Sequence, residues 1–305
     1  MKSFSLVPLA LLASLPGPAR AQRLEPRPVP TGRIESYRFE SPSMGVSYAI
    51  NVGLPQGYEP GDGRRYPLLV TTDGDWAFRG VFAAIGSLGG VIDPPFVVSI
   101  GTADDEGEAV LTRRRVYEFS PSWDLQDPFG RVVAETCERL GSAAGRCVGG
   151  AARFLDVIVS ELIPLVAARF PIDTTDLGLF GISAGGYFTS WALLQPRSPF
   201  EKYLISSPAM AYGDGEIFRE EERYAKTHQD LPVSVYMAAG TLEAADGFLE
   251  GVGKIVSGMS HFAGVLTGRK YPNLRLQVEY HPGMGHGDVM GTSVVRGMRM
   301  LYGKK

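Results

Sequence analysis

Between Asp176 and Leu194 the chain reads Asp-Leu-Gly-Leu-Phe-Gly-Ile-Ser-Ala-Gly-Gly-Tyr-Phe-Thr-Ser-Trp-Ala-Leu-Leu. An apolar run, Leu177 to Phe180, enters a G-x-S-x-G core at Gly181-Ile182-Ser183-Ala184-Gly185, and a helix-spaced set, Tyr187, Trp191 and Leu194, leaves it. Strand, sharp turn and helix in that order hold a serine in a strained backbone conformation. The small neighbours let strand and helix approach closely enough to keep it there. The turn lifts the Ser183 hydroxyl above the sheet edge. It also aims the Ala184 N–H and the start of the following helix at any oxyanion formed by attack of Ser183.

A serine hydroxyl becomes a nucleophile only beside a base that is itself held by a third group. Four histidines are available, His228, His261, His281 and His286. His286 lies in the glycine-rich loop Pro282-Gly283-Met284-Gly285-His286-Gly287-Asp288, which can carry an imidazole back over the serine turn, so it is the preferred base. His281 is the alternative, but it abuts a strand and precedes a proline. His228 and His261 sit in helical or helix-flanking patterns. The acid is expected after the strand between serine and histidine. Glu243 and Asp246 both lie there, with Glu243 closer to the strand end and preferred. Either carboxylate could instead favour the start of a following helix.

The rest of the chain supports an α/β class. Ile34 to Phe39 and Val46 to Val52 alternate around a Ser-Pro-Ser-Met-Gly turn and predict a hairpin. Tyr66 to Thr72, Phe96 to Ile100, Tyr203 to Ser206 and Val233 to Ala239 read as buried strands, and Leu274 to Tyr280 as the last strand. Phe154, Ile158, Leu162, Leu165 and Val166 are helix-spaced. Glu216 to Thr227 predicts a charged, exposed helix and Val289 to Leu301 a terminal one. Strands alternating with helices imply a mostly parallel sheet between helical layers, within one domain over residues 34–305. Residues 101–150 show little regular pattern and are expected to form an irregular roof over the site. The loop Asp73-Gly74-Asp75-Trp76 follows a buried strand, where ligands collect in such sheets, and is the candidate for the second oxyanion donor.

Residues 1–21 read as an export signal: Lys2, an apolar stretch from Phe4 to Leu15, and Ala19-Arg20-Ala21 before Gln22. Residues 22–33 are proline-rich and predict an extended arm. Loss of Lys2 and Arg20 leaves 28 basic against 33 acidic residues, a net charge near −5, which argues against a nucleic-acid partner. No other stretch is long and apolar enough for a membrane span, so a periplasmic or secreted location is expected. Cys137 and Cys147, close together in an exported chain, predict a disulfide and fit no zinc pattern. The cluster Arg113-Arg114-Arg115 is either internal or a contact for an anionic substrate. Arg114, with Trp76, is the candidate substrate contact.

With these residues in place the chain resembles the "putative esterase" family of α/β-hydrolases, which includes esterase D-like enzymes and the esterases that open trilactone siderophores. The resemblance runs through Leu54-Pro55-Gln56-Gly57-Tyr58, Asp73-Gly74-Asp75-Trp76, the Ser183 turn, Ile205-Ser206-Ser207-Pro208, Gly240-Thr241-Leu242-Glu243 and the His286 loop. It implies an α/β-hydrolase fold, Ser183 as nucleophile, His286 as base and backbone N–H groups near Ala184 and Asp75 as the oxyanion hole. The implied reaction is hydrolysis of a small-molecule ester, with no metal or organic cofactor. The same acyl-enzyme could pass its acyl group to an alcohol instead of water, and a non-catalytic binding protein could keep the fold as a scaffold. Two features depart from the family pattern. Ile182 stands where a histidine commonly precedes the nucleophile, and the Ser122 to Gly150 segment is longer than usual.

Overall fold

The computed structural model describes residues 33–122, 127–141 and 147–304. The expected export signal, and the arm up to residue 32, lie outside the described residues.

Strand β1 (Ile34–Ser41) and strand β2 (Val46–Gly53) form the anticipated hairpin, in register from Ile34↔Gly53 to Ser41↔Val46. The turn closes with the Gly45 N–H donating to the Ser41 carbonyl, Gly45 standing at φ 65°. The remaining strands are β3 (Tyr66–Thr71), β4 (Phe96–Gly101), β5 (Ile172–Ile182), β6 (Lys202–Ser206), β7 (Ser234–Gly240) and β8 (Arg275–His281). They assemble into one eight-stranded sheet in the order β1-β2-β4-β3-β5-β6-β7-β8. Only the β1–β2 and β2–β4 pairings are antiparallel; from β4 to β8 the strands run parallel. This is the α/β-hydrolase fold, with helices on both faces.

Side-chain alternation explains why the central strands read as unbroken apolar runs. Leu68, Val70, Leu179, Ile205 and Met237 enter the core on one face, and Leu69, Phe180, Leu204 and Tyr236 the core on the other. Helices α1 (Gly74–Gly86) and α9 (Val289–Tyr302) cover the second face through Val81, Val294 and Met298. The first face is covered by a continuous helical run and by two later helices. The run comprises α4 (Ala151–Val157), a π turn (Ile158–Leu162) and α5 (Ile163–Arg169); the others are α6 (Ala184–Ala192) and α8 (Ile255–Arg269). Each fully buried aromatic or branched side chain here contributes about 1.5–3 kcal/mol of transfer free energy.

Two expectations are corrected. Residues 101–150 are not irregular throughout: they hold α2 (Glu108–Phe119) and α3 (Pro128–Arg139). The α2 pattern is hidden by its charges, because Arg114 and Glu118 face inward as a pair, Arg114 Nη2 lying 3.0 Å from Glu118 Oε1. The α3 helix begins at Asp127, whose Oδ1 accepts from the Phe129 and Gly130 N–H groups at 3.0 Å, and Pro128 takes its first position. The helix α7 (Glu216–Thr227) is charged but not simply exposed. Its Glu221 is fully buried, gripped by Arg269 Nε and Nη2 at 2.8 and 2.7 Å and by the Tyr271 hydroxyl at 3.1 Å. Cys137, near the end of α3, is disulfide-bonded to Cys147.

Candidate active site

Ser183 lies between β5 and α6 at φ 59°, ψ −122°, a conformation costly for any residue with a side chain. Its neighbours must be glycine for steric reasons. A Cβ on Gly181 would lie 2.1 Å from the Gly185 carbonyl oxygen, and one on Gly185 2.6 Å from Thr72 Oγ1 and 2.7 Å from Asp73 Oδ2. The turn is pinned by Ser183 N–H donating to the Ser206 carbonyl at 3.1 Å. The Ser183 carbonyl accepts from Tyr187 at 2.9 Å and from Ala209 at 3.0 Å. The N–H of Ala184, as first residue of α6, has no acceptor within the helix and lies at its positive end.

The close approach at Gly185 brings the β3–α1 loop against the start of α6. Asp73 stands at φ 66° and Gly74, which opens α1, at φ 53°, and Asp75 lies in the first turn of α1. Asp75 Oδ1 accepts from Asn51 Nδ2 at 2.5 Å, and that amide also donates to Ser99 Oγ at 3.2 Å, so β2 and β4 hold the loop in place. Trp76 is half exposed on the next position.

Glu243 lies on a 3₁₀ turn (Thr241–Ala245) after β7, and His286 in the loop after β8. Their side chains meet: His286 Nδ1 is 2.5 Å from Glu243 Oε1. Glu243 is buried, and its other oxygen accepts from the Gly240 N–H at 2.6 Å and the Ser207 hydroxyl at 2.8 Å. A carboxylate so fully bonded is fixed in one orientation, and it turns His286 Nε2 to the far side of the ring. The histidine loop is stitched to the same turn, Leu242 N–H donating to the Met284 carbonyl at 3.0 Å and Gly283 N–H to Thr241 Oγ1 at 2.9 Å. Among the described residues no hydrogen bond joins Ser183 Oγ to His286, a looseness common before substrate arrives.

The other candidates fall elsewhere. Asp246 accepts from the Phe248 and Leu249 N–H groups at 2.8 Å, bonds that hold its carboxyl below the usual range, with His286 a minor contributor. His281 is buried beside Tyr236, and burial pushes its imidazole down. His228 stacks on Tyr224 and His261 on Phe218. Arg114, expected at substrate, is taken up internally: Nη1 donates to the Ser47 carbonyl at 2.6 Å, Nε to Glu118, and the guanidinium lies 4.1 Å from the Tyr48 ring centre. The next residue, Arg115, is the one that reaches the site, through an ion pair with Asp73.

Two residues had no catalytic signal in the sequence. Ser207, at φ 43°, donates to Glu243. Tyr187 lines a cavity of about 90 Å³ beside Ala184 together with Arg115, Phe119, Ala209 and Tyr212. Its hydroxyl is buried and, among the described residues, without a hydrogen-bond partner, and burial pushes that phenol up, so it stays a donor. Phe129 links this cavity to a larger one of about 540 Å³, lined also by Met210, Phe218, Lys254 and His261.

Comparison with known proteins gives the family and the fold. Residues 41–243 match the family described as "Putative esterase". The siderophore triacetylfusarinine C esterase of Aspergillus fumigatus is 27% identical over 305 aligned positions, covering 91% of this chain and 96% of that protein. Ferri-bacillibactin esterase BesA of Bacillus subtilis is 26% identical over 206 positions, 65% of this chain and 66% of that protein. The structure of siderophore hydrolase EstA from Aspergillus nidulans superposes with a TM-score of 0.76 at 20% identity, covering 93% of this chain and 98% of that one. With a strained serine at the head of α6 and a carboxylate-bound histidine after the last strand, the chain belongs to the "Putative esterase" family, as a carboxylic ester hydrolase.

Proposed function

We propose that the protein is an exported serine esterase that works through an acyl-enzyme at Ser183. The observation that carries this reading is the Glu243–His286 bond on the same sheet edge as the strained Ser183 turn. In this reading His286 Nε2 takes the Ser183 proton as Oγ attacks the ester carbonyl. Glu243 holds the imidazole and offsets its charge. The N–H groups of Ala184 and Asp75 receive the oxyanion. His286 then passes its proton to the leaving alcohol, and water activated by the same ring releases the acid.

The substrate we propose is a siderophore ester or lactone, by similarity to relatives named for such substrates. The adjoining cavities, about 90 and 540 Å³, offer room for more than a short acyl chain. Export is supported by the Met1–Ala21 pattern and by the disulfide, a bond that persists in oxidising compartments. Trp76, exposed beside the site, is the proposed substrate contact.

A fluorophosphonate probe tests the nucleophile, applied to wild type, Ser183→Ala and His286→Ala. Labelling of wild type alone is the expected result, and labelling of Ser183→Ala at wild-type level would remove the assignment. N-terminal sequencing of the exported protein is expected to begin at Gln22.

A further inference from the structure

We infer that Arg115 and Asp73 are positioning residues for the oxyanion hole, acting as a charge-neutral clamp between its two halves. The inference rests on the serine esterase reading above.

Asp73 occupies the N-cap position of α1, yet its side chain makes no cap bond. Asp73 is buried, with its side chain 1% exposed. Its Oδ1 is bound by Arg115 Nε, and its Oδ2 lies 3.4 Å from Thr72 Oγ1 and against Gly185. It therefore touches both segments that carry the proposed donors: Gly185 follows Ala184, and Asp73 stands two residues before Asp75. The left-handed backbone at Asp73 and the tight contact at Gly74, where a Cβ would meet the Thr102 carbonyl oxygen at 2.8 Å, make the loop shape one that needs holding.

The charge is the more demanding problem. A buried carboxylate beside an oxyanion hole repels the negative charge that develops there, and in a water-poor site that repulsion is weakly screened. Arg115 cancels it. The guanidinium reaches Asp73 from α2 and lies 5.6 Å from the Phe119 ring centre, and the side chain also lines the cavity beside Ala184. An ion pair of this kind is strongly unfavourable to break on one side and much less so to remove whole. The clamp thus predicts a sign-inverting double-mutant cycle.

The test uses 4-nitrophenyl acetate, a small neutral ester, and the rate of fluorophosphonate labelling at Ser183. Arg115→Ala is expected to lower kcat about 10²-fold with KM within about twofold, and to slow labelling in parallel, as loss of one oxyanion donor does. Asp73→Asn together with Arg115→Ala is expected to recover to within about tenfold of wild type. Arg115→Lys, which keeps the charge and loses the planar fork, falls between. A raised KM with unchanged kcat in Arg115→Ala would make Arg115 a substrate contact and overturn the clamp. So would a double variant worse than Arg115→Ala, or a lowered melting temperature with kcat and labelling intact. If Arg115→Ala does not fold, Arg115→Lys and the double variant carry the same comparison. Wild type that neither turns over an ester nor labels defeats the esterase reading itself, visibly in that arm alone.

Discussion

Glu243 and Asp246 are three positions apart, and the difference between them is one of orientation. Glu243 sends one oxygen to His286 and fills the other with Gly240 and Ser207, so its charge is buried but never unpartnered. Asp246 spends its Oδ1 on two backbone donors of the next turn. Glu243→Gln presents an amide to Nδ1 and disturbs the tautomer that the base needs. A fall in kcat of about 10³–10⁴ is expected on 4-nitrophenyl acetate, against less than about threefold for Asp246→Asn. Equal losses in the two variants would reverse the assignment. Ser207→Ala removes one donor from a buried carboxylate and is expected to lower kcat by roughly tenfold with KM unchanged. The sequence made Ser183, His286 and the Glu243/Asp246 pair readable because each follows a strand end in the required order. Ser207 stood in a segment that carried the resemblance, but with no role attached, because its bond to Glu243 depends on β6 and β7 being neighbours, a pairing formed across sequence.

At the level of elements, α2 was the least legible part of the chain and carries the most unusual electrostatics. The three consecutive arginines left an internal role and a substrate contact open, and two of them take different internal partners. Arg114 goes inward to Glu118, Tyr48 and the Ser47 carbonyl, and Arg115 crosses to Asp73. Helical periodicity is obscured when inward positions are filled by a hydrogen-bonded arginine and glutamate instead of apolar residues. The α3 helix was more readable than its irregular appearance suggested, since Asp127-Pro128 is a start signal and Phe129, Val133 and Cys137 are four apart. Burial pushes the Glu118 carboxyl up to about 7, with Arg114 opposing. The folded state then keeps a proton that the unfolded chain releases near the ordinary value of 4.5. The Glu118 contribution to stability is therefore full below about pH 4.5, declines as pH rises, and is lost by about pH 7, a change on the order of 3 kcal/mol. Thermal unfolding of wild type and Glu118→Gln between pH 4 and 8 tests the sign. The wild-type curve should fall relative to the variant as pH rises, whereas a wild-type curve that rises relative to the variant with pH would contradict it.

Across the whole molecule, the parallel sheet gathers the candidate site from distant sequence. The β3 end supplies Asp73 and Asp75, β5 supplies Ser183, β6 Ser207, β7 Glu243 and β8 His286, all at carboxyl edges of neighbouring strands. The alternating cores on the two faces make that edge rigid, because every central strand is packed from both sides. The α2–α3 segment is held differently. Val133, Cys137, Cys147 and Val148 form a small cluster of their own, with Val116 and Phe129 packed against it. So few apolar residues bury too little surface to fix a helix firmly, and the disulfide supplies what the cluster lacks. Joining residues separated by 10 positions, it removes loop entropy from the unfolded chain worth about 2–3 kcal/mol. Replacing both cysteines by serine is expected to lower unfolding free energy by that amount and to make it insensitive to reductant. Turnover of 4-nitrophenyl acetate should be unchanged, because among the described residues the cluster is built from α2, α3 and the Cys147–Val148 segment, whereas Ser183, Glu243 and His286 stand at the ends of β5, β7 and β8. Bulky esters that reach past Phe129 should bind less tightly, since that ring borders both cavities and packs on the cluster. A selective rise in KM for the bulky ester would tie α3 to substrate choice, while equal loss on both esters would show that the bond supports the catalytic edge itself.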